Sequence, residues 1–133
     1  CTNCKGIWTM TNKLTLSPLA HTWIFDADGT VCVHNGYKNG GDVLLDGVKE
    51  LFAQIPPKDM IVFITSRKAE EKENLEAFLT ENGLRFDHII YDAPMGERIL
   101  INDDKPSGLP MAFAVRKKRD AALNLSAEID GSL

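Results

Sequence analysis

A chain of 133 residues with 44% hydrophobic and 26% charged side chains has the size and composition of one globular domain. Its formal net charge of -4 argues against a general nucleic-acid-binding protein, because such proteins usually present a basic face to the phosphates. The sequence has no apolar stretch of the ~18 residues that a membrane span needs and does not open on a signal-peptide pattern, so we expect a cytoplasmic protein without a membrane partner.

Residues 1–20 are expected to be an N-terminal extension that is partly disordered. Cys1 and Cys4 have half of the spacing of a zinc knuckle, but no second CxxC or histidine pair completes four ligands, so free thiols are expected. Met10 lies at a sensible distance before the first apolar run, which favours an upstream extension over residues 1–9. We therefore place a single domain at residues 21–125 and a C-terminal tail at residues 126–133.

Within that domain, short apolar runs alternate with amphipathic helical patterns. Five apolar runs predict strands: Thr22–Phe25, Met60–Thr65, His88–Tyr91, Ile99–Asn102 and Met111–Val115. The first two are apolar throughout, which is typical of strands covered on both faces. Two helices are predicted over Val48–Ile55 and Lys68–Gly83, and Gly83 suits a left-handed C-terminal cap. This alternation predicts an α/β domain with a mainly parallel, five-stranded sheet.

Polar residues follow three of the predicted strands. Ligands of open parallel sheets bind at the carboxyl ends of the strands, so these residues are expected to share one edge. They are Asp26, Asp28, Gly29 and Thr30 after the first strand, Thr65, Ser66 and Arg67 after the second, and Asp103, Asp104 and Lys105 after the fourth. Carboxylates, a hydroxyl and cations together indicate a phosphoryl-transfer site.

Each residue type has a use in that chemistry. Asp26 is the predicted nucleophile, which would form an aspartyl-phosphate, and Asp28 is the predicted acid and base. Gly29, Thr30, Thr65 and Ser66 are the predicted phosphate-binding residues; Gly29 lets the backbone approach because it lacks a Cβ. The predicted cofactor is Mg²⁺, which offsets the repulsion between carboxylate and phosphate and prefers oxygen ligands such as Asp103 or Asp104. The alternatives are ordinary turns at both acidic pairs and a helix cap at Thr65.

The segments "FDADGT", "VFITSR" and "ILINDDKP" resemble the motifs of the haloacid dehalogenase superfamily, over roughly residues 22–120. The resemblance implies a three-layer α/β/α, Rossmann-like fold and a phosphatase with an aspartate nucleophile. Carried over residue by residue, it implies Asp26 as nucleophile and metal ligand, Asp28 as acid and base with its carbonyl on the metal, and Asp103 or Asp104 as a further ligand of Mg²⁺.

The cation that the family places upstream of the acidic pair is displaced in this sequence. Arg98 is the only cation between Phe86 and Leu100, whereas Lys105 follows the acidic pair and Arg67 follows the second strand. If Arg98 begins the fourth strand, it lies at the far end of the sheet, so strand geometry ranks Lys105 first, Arg67 second and Arg98 third. The basic run Arg116–Asp120 is interpreted as a solvated edge, with contact to an anionic substrate as the alternative.

No segment is long enough for a cap domain. The loop after Thr30 is short and glycine-rich, and one helix separates Arg67 from the third strand, so we expect an open site. An open site suits a phosphorylated small molecule, an exposed phosphate on a larger substrate, or closure by a neighbouring subunit in a homo-oligomer. The alternative function is a non-catalytic or accessory domain that binds a phosphorylated ligand, as part of a larger polypeptide.

Overall fold

The structure is a computed structural model that describes residues 12–133. The predictions for Cys1, Cys4, Met10 and the extension over residues 1–9 lie outside the described residues.

The described chain is a mixed α/β domain with two parallel sheets. Three strands, β2 (Thr22–Asp26), β3 (Met60–Ile64) and β4 (His88–Ile90), form one sheet in the order β2-β3-β4. Strands β1 (Asn12–Leu16) and β5 (Leu125–Ile129) pair in parallel as a second sheet. In the larger sheet Asp26 is level with Ile64, which is level with Ile90, so all three strands end at the same edge.

Both predicted helices are confirmed, each slightly shorter than its sequence pattern. Helix α1 spans Val48–Gln54 and helix α2 spans Lys72–Glu81, preceded by a single turn of 3-10 helix at Ala69–Glu71. Gly83 has the predicted left-handed conformation, with φ of 71°. Neither helix of the described chain is long and apolar enough to cross a membrane.

The core lies against one face of the larger sheet. Trp23, Phe25 and Phe63 are buried there, and the rings of Phe25 and Phe63 lie 5.6 Å apart. Ile24 on the opposite face of β2 is 52% exposed, because side chains alternate between the faces of a strand. The expectation of strands covered on both faces, and with it the three-layer arrangement, is therefore not met in the part that the structure describes.

The two predicted strands at Ile99–Asn102 and Met111–Val115 do not form. Their side chains are largely exposed, Ile101 to 90%. The two further strands of the described chain are β1, inside the predicted N-terminal extension, and β5, which covers half of the predicted tail. Residues 12–16 and 125–129 therefore belong to the folded part of the chain.

The chain leaves the sheet directly after β4 because Asp92 has a left-handed conformation, with φ of 59°. The next backbone amides bond back to the loop after β3: Asp92 N–H donates to Arg67 O at 2.8 Å, and Ala93 N–H donates to Thr65 O at 3.0 Å. These two bonds hold residues 92–93 against the loop after β3, at the carboxyl edge of the sheet.

Candidate functional site

Strand β2 brings Asp26 to the carboxyl edge of the larger sheet. Its side chain is 41% exposed, accepts a hydrogen bond from Thr30 Oγ1 at 3.2 Å and lies 3.8 Å from Arg98 Nη2. Burial raises the pKa of Asp26 above its usual value, although the Thr30 hydrogen bond and the Arg98 charge act in the opposite direction. Asp26 is therefore an accessible carboxylate beside a cation, as a nucleophile toward a phosphate would need to be.

A tight turn follows Asp26. The carbonyl of Ala27 accepts hydrogen bonds from three successive amides, those of Thr30, Val31 and Cys32. Gly29 has φ of 85°, and a Cβ there would lie 3.1 Å from Arg119 Cγ. The positive φ favours glycine in this turn, and the stem of Arg119 lies close to the place that a Cβ would occupy. The expected reason, space for a phosphate, is not tested by these contacts.

The Asp28 carboxylate is bound by Arg67, a partnership that the sequence did not suggest. Arg67 Nε and Nη2 donate to Asp28 at 2.9 and 2.8 Å, and Nη1 and Nη2 donate to Asp42 at 3.1 and 2.6 Å. The Arg67 side chain is only 1% exposed. Burial alone would lower the pKa of Arg67, but the bonds to Asp28 and Asp42 raise it, so the guanidinium stays charged.

The segment after the turn packs over this ion pair. The Tyr37 ring lies over the Arg67 guanidinium, 4.1 Å from centroid to Cζ, which is the geometry of a cation–π contact. Asp42, from the same segment, accepts hydrogen bonds from Nη1 and Nη2 of the Arg67 guanidinium. Arg67 therefore fastens the loop of residues 33–46 to the edge of the sheet, which is a structural use of a residue predicted to contact phosphate.

One group of metal-ligand side chains occurs in residues 12–133, formed by Asp28, Cys32 and Asp42. It does not suit Mg²⁺, because Arg67 occupies both carboxylates and the third group is a thiol. Burial, together with the charges of Asp28 and Asp42, raises the pKa of Cys32, so the thiol is held neutral. This group is best described as an ion pair with a buried cysteine beside it.

The predicted Mg²⁺ ligands are not gathered into such a group. Asp103 and Asp104 are exposed. The Asp103 amide donates to Asn102 Oδ1 at 3.0 Å, and Asp104 Oδ1 accepts from Met111 N–H at 3.3 Å, so both residues have local hydrogen-bond partners. The neighbouring turn comes just after this acidic pair, where Gly108 N–H donates to Lys105 O at 2.8 Å. The described residues therefore do not fit a metal held jointly by Asp26, Asp28, Asp103 and Asp104.

Thr65 and Ser66 lie at the edge of the sheet as predicted, since they directly follow β3. Thr65 is 1% exposed, and its Oγ1 accepts a hydrogen bond from the Arg67 amide at 3.1 Å. The alternative role, a cap of the following helix, is not met, because the 3-10 turn and helix α2 begin after Lys68 and Glu71 without a side-chain cap. Ser66 Oγ donates to Pro94 O at 3.4 Å. Both hydroxyls thus have local hydrogen-bond partners.

The three candidate cations lie in three different places. Arg98 is next to Asp26, and Arg67 is ion-paired with Asp28 and Asp42. Lys105 lines a shallow cavity together with residues that precede β2, namely Ser17, Pro18 and Leu19. Lys105 is therefore at the opposite end of β2 from Asp26. The reason for ranking Arg98 last was wrong, because the strand that was to carry it away does not form.

A fourth cation, Lys117, was missed. Its Nζ donates to Gly29 O at 2.7 Å, and burial lowers its pKa while the charges of Asp120 and Asp26 oppose that shift. The only signal in the sequence was the basic run Arg116–Asp120, which was interpreted as a solvated edge. The Lys117 contact shows that the run is packed at this position, and the alternative interpretation, contact with an anionic substrate, stays a prediction.

No protein-family model, curated protein or solved structure matches this chain.

Proposed function

We propose that the protein is a phosphate monoester hydrolase of the haloacid dehalogenase type, acting through an aspartyl-phosphate on Asp26. The observation that carries the proposal is the position of Asp26: a half-exposed carboxylate at the carboxyl end of a parallel strand, 3.8 Å from Arg98. The resemblance of "FDADGT", "VFITSR" and "ILINDDKP" to motifs of that superfamily also supports the proposal. Together they favour a reaction at phosphorus over a purely structural acidic turn.

In the proposed reaction an Asp26 oxygen attacks phosphorus and the bond to the leaving oxygen breaks. Water then attacks the aspartyl-phosphate and releases inorganic phosphate and free Asp26. Arg98 and Lys117 are the cations near Asp26 that would offset the phosphate charge. These two replace Lys105 and Arg67 in that role.

Asp28 is the proposed acid and base, and its role sets a condition. Both of its oxygens accept hydrogen bonds from Arg67. At least one of these bonds would have to open before an Asp28 oxygen could reach the leaving group. Movement of the loop that carries Asp42 and Tyr37 is the simplest way to weaken the grip of Arg67.

The requirement for Mg²⁺ stays a prediction, because the described residues do not gather the expected ligands. The substrate class also follows from the open edge: a phosphorylated small molecule or an exposed phosphate on a larger substrate. Cytoplasmic location and assembly as a homo-oligomer belong to the same proposal.

The test is hydrolysis of an aryl phosphate by the purified protein, with and without Mg²⁺. Vanadate or beryllofluoride should also raise the melting temperature, since a ligand of the native state stabilises it by roughly 2.7 kcal/mol at a hundredfold excess over its dissociation constant. No hydrolysis and an unchanged melting curve at millimolar ligand would refute the proposal.

A second candidate is a non-catalytic domain that binds a phosphorylated ligand. The capture of Asp28 by Arg67 and the dispersed metal ligands favour it. Stabilisation by vanadate without any hydrolysis, with or without divalent cations, would select this candidate over the hydrolase.

A further inference from the structure

The basic run Arg116–Asp120 is docked on the turn that follows Asp26. Lys117 Nζ and the Asp120 amide both donate to the Gly29 carbonyl, at 2.7 and 2.9 Å. Asp120 Oδ1 accepts a hydrogen bond from the His34 amide at 2.7 Å, which ties the run to the loop on the other side of the turn. Three hydrogen bonds thus fix a segment that is remote in sequence beside the candidate nucleophile.

The backbone of this segment is held in an uncommon conformation at Asp120, with φ of 62°. Aspartate tolerates the left-handed region better than most residues, and the His34 bond holds it there. Residues in such conformations persist where the surrounding structure fixes them, and they occur often at functional sites. The consequence here is the position of the preceding residue, Arg119.

Arg119 packs its stem on Gly29, since a Cβ at Gly29 would lie 3.1 Å from Arg119 Cγ and 3.8 Å from Nε. The side chain as a whole is exposed. In the described part of the chain, neither Arg119 nor the neighbouring Lys118 has a carboxylate partner. An arginine fixed along its stem and free at its head is prepared for an external anion.

The basic run carries further cations besides Lys117. Arg67 is matched by two carboxylates, while Arg98 and Lys117 lie near Asp26. Arg119 and Lys118 come in addition, in a chain whose net charge is -4. The head of Arg119, held by its stem beside the turn after Asp26 and without a carboxylate partner, suits a further negative group on the ligand.

We propose that Arg119, with Lys118, forms a subsite for a second oxyanion on the substrate, a carboxylate or a second phosphate. The planar guanidinium binds either group through paired hydrogen bonds. This inference rests on the proposed function and deepens it, because it selects phosphate monoesters that carry another anionic group over neutral sugar or alcohol phosphates.

The test uses two matched substrate pairs. Glycerol phosphate is compared with phosphoglycerate, which adds a carboxylate, and fructose phosphate with fructose bisphosphate, which adds a phosphate. We expect kcat/KM to favour the doubly anionic member of at least one pair by about tenfold, the effect of one charge-assisted hydrogen bond. The pair that shows the preference identifies the oxyanion.

The preference ratio should fall close to one in Arg119→Met, mainly through KM. Methionine keeps an unbranched stem against Gly29 and removes only the cationic head. Arg85→Met is the matched control: this exposed arginine pairs with Asp87 just before β4, away from the site, and the ratio should stay at the parent value. Equal kcat/KM within both pairs, or an unchanged ratio in Arg119→Met, would overturn the subsite.

Calorimetric binding of the same four compounds separates this inference from the proposed function. If no compound is hydrolysed but phosphoglycerate or fructose bisphosphate binds about tenfold tighter than its partner, and Arg119→Met removes the difference, the hydrolase proposal fails and the subsite stands. If hydrolysis occurs and the affinities within each pair are equal, the subsite fails and the hydrolase proposal stands.

Discussion

Arg67 and Asp28, which are 39 residues apart in sequence, meet in a two-pronged ion pair in which Nε and Nη2 each donate to a different carboxylate oxygen. The same guanidinium also donates to Asp42, so the Arg67 joint connects the edge of the sheet to the loop of residues 33–46. The candidate acid of the reaction is therefore also part of the fold.

The first prediction concerns this joint. Arg67→Met should lower the free energy of unfolding by about 3 kcal/mol, because removing one partner of a buried ion pair leaves the other charges without compensation. Urea denaturation measures the loss. Lys68→Met is the control, since the neighbouring Lys68 side chain is 73% exposed and its removal should change stability by less than about 0.5 kcal/mol. Equal effects of the two substitutions would show that the Arg67 pair contributes little.

Asp26→Asn should abolish turnover and leave the fold intact, because the amide keeps the shape but loses the nucleophilic charge. The raised pKa of Asp26 gives the sign of its stability effect: the ionised carboxyl is disfavoured in the folded state at neutral pH, and this cost is relieved as the pH falls through the raised value. Asp26→Asn should therefore be at least as stable as the parent at pH 7. Residual activity above about a tenth of the parent rate, or a lower urea midpoint at pH 7, would contradict this prediction.

For the parent, the rate should fall at acid pH with a midpoint above the usual pKa of an aspartate, because protonated Asp26 cannot attack phosphorus. A pH profile of kcat/KM measures this midpoint. A rate that stays constant down to pH values below the usual aspartate range would indicate a different nucleophile.

Arg98→Met should reduce kcat/KM for an aryl phosphate by about a hundredfold or more, the usual size of a lost charge contact at a phosphoryl group. Lys105→Met should keep a rate near that of the parent, because Lys105 lies beside Ser17 and Leu19 before β2. The two variants make the same change of residue class, so each is the control of the other. A large loss in Lys105→Met with little change in Arg98→Met would restore the ranking derived from the sequence.

Asp59 predicts how stability depends on acid. Burial alone would raise its pKa, but hydrogen bonds from Trp23 Nε1 at 3.0 Å and from the His21 amide and ring at 3.0 and 2.8 Å lower it. A lowered carboxyl pKa contributes stability that is present above the unfolded-state value and is lost as the pH falls through the folded-state value. Asp59→Asn should therefore destabilise the protein at pH 7 and flatten the loss of unfolding free energy below about pH 4. Parallel curves for parent and variant between pH 7 and pH 3 would contradict it.

The sequence predicted the elements whose signals are local. Strands β2, β3 and β4 and both helices follow from apolar spacing, and Gly83 from its place after a helix. Strand β1, Asn12–Leu16, was missed because its alternation of polar and apolar residues is short and its partner is at the other end of the chain. Ile99–Asn102 was predicted as a strand because it is apolar, but the left-handed turn at Asp92 carries the chain away from the edge of β4.

In the candidate site, too, the residues with local signals were predictable and the long-range contacts were not. Asp26 and its turn were found from one continuous motif. The hydrogen bonds around this turn, between Arg67 and Asp42 and between Lys117 and Gly29, join residues far apart in sequence. No local pattern encodes such pairs. The wrong position of Arg98 came from the same cause, since it depended on a backbone turn several residues upstream.

The pairing of β1 with β5 has a consequence for the order in which the chain acquires its structure. Strand β1 is the first of the described strands to be synthesised, and its partner follows only after residues 17–124. At about 5–20 residues per second, β1 would wait on the order of ten seconds on the ribosome with unsatisfied backbone groups. The β2-β3-β4 sheet closes much shorter loops and can form in that interval, and the two terminal strands would then seal a domain that is already largely folded.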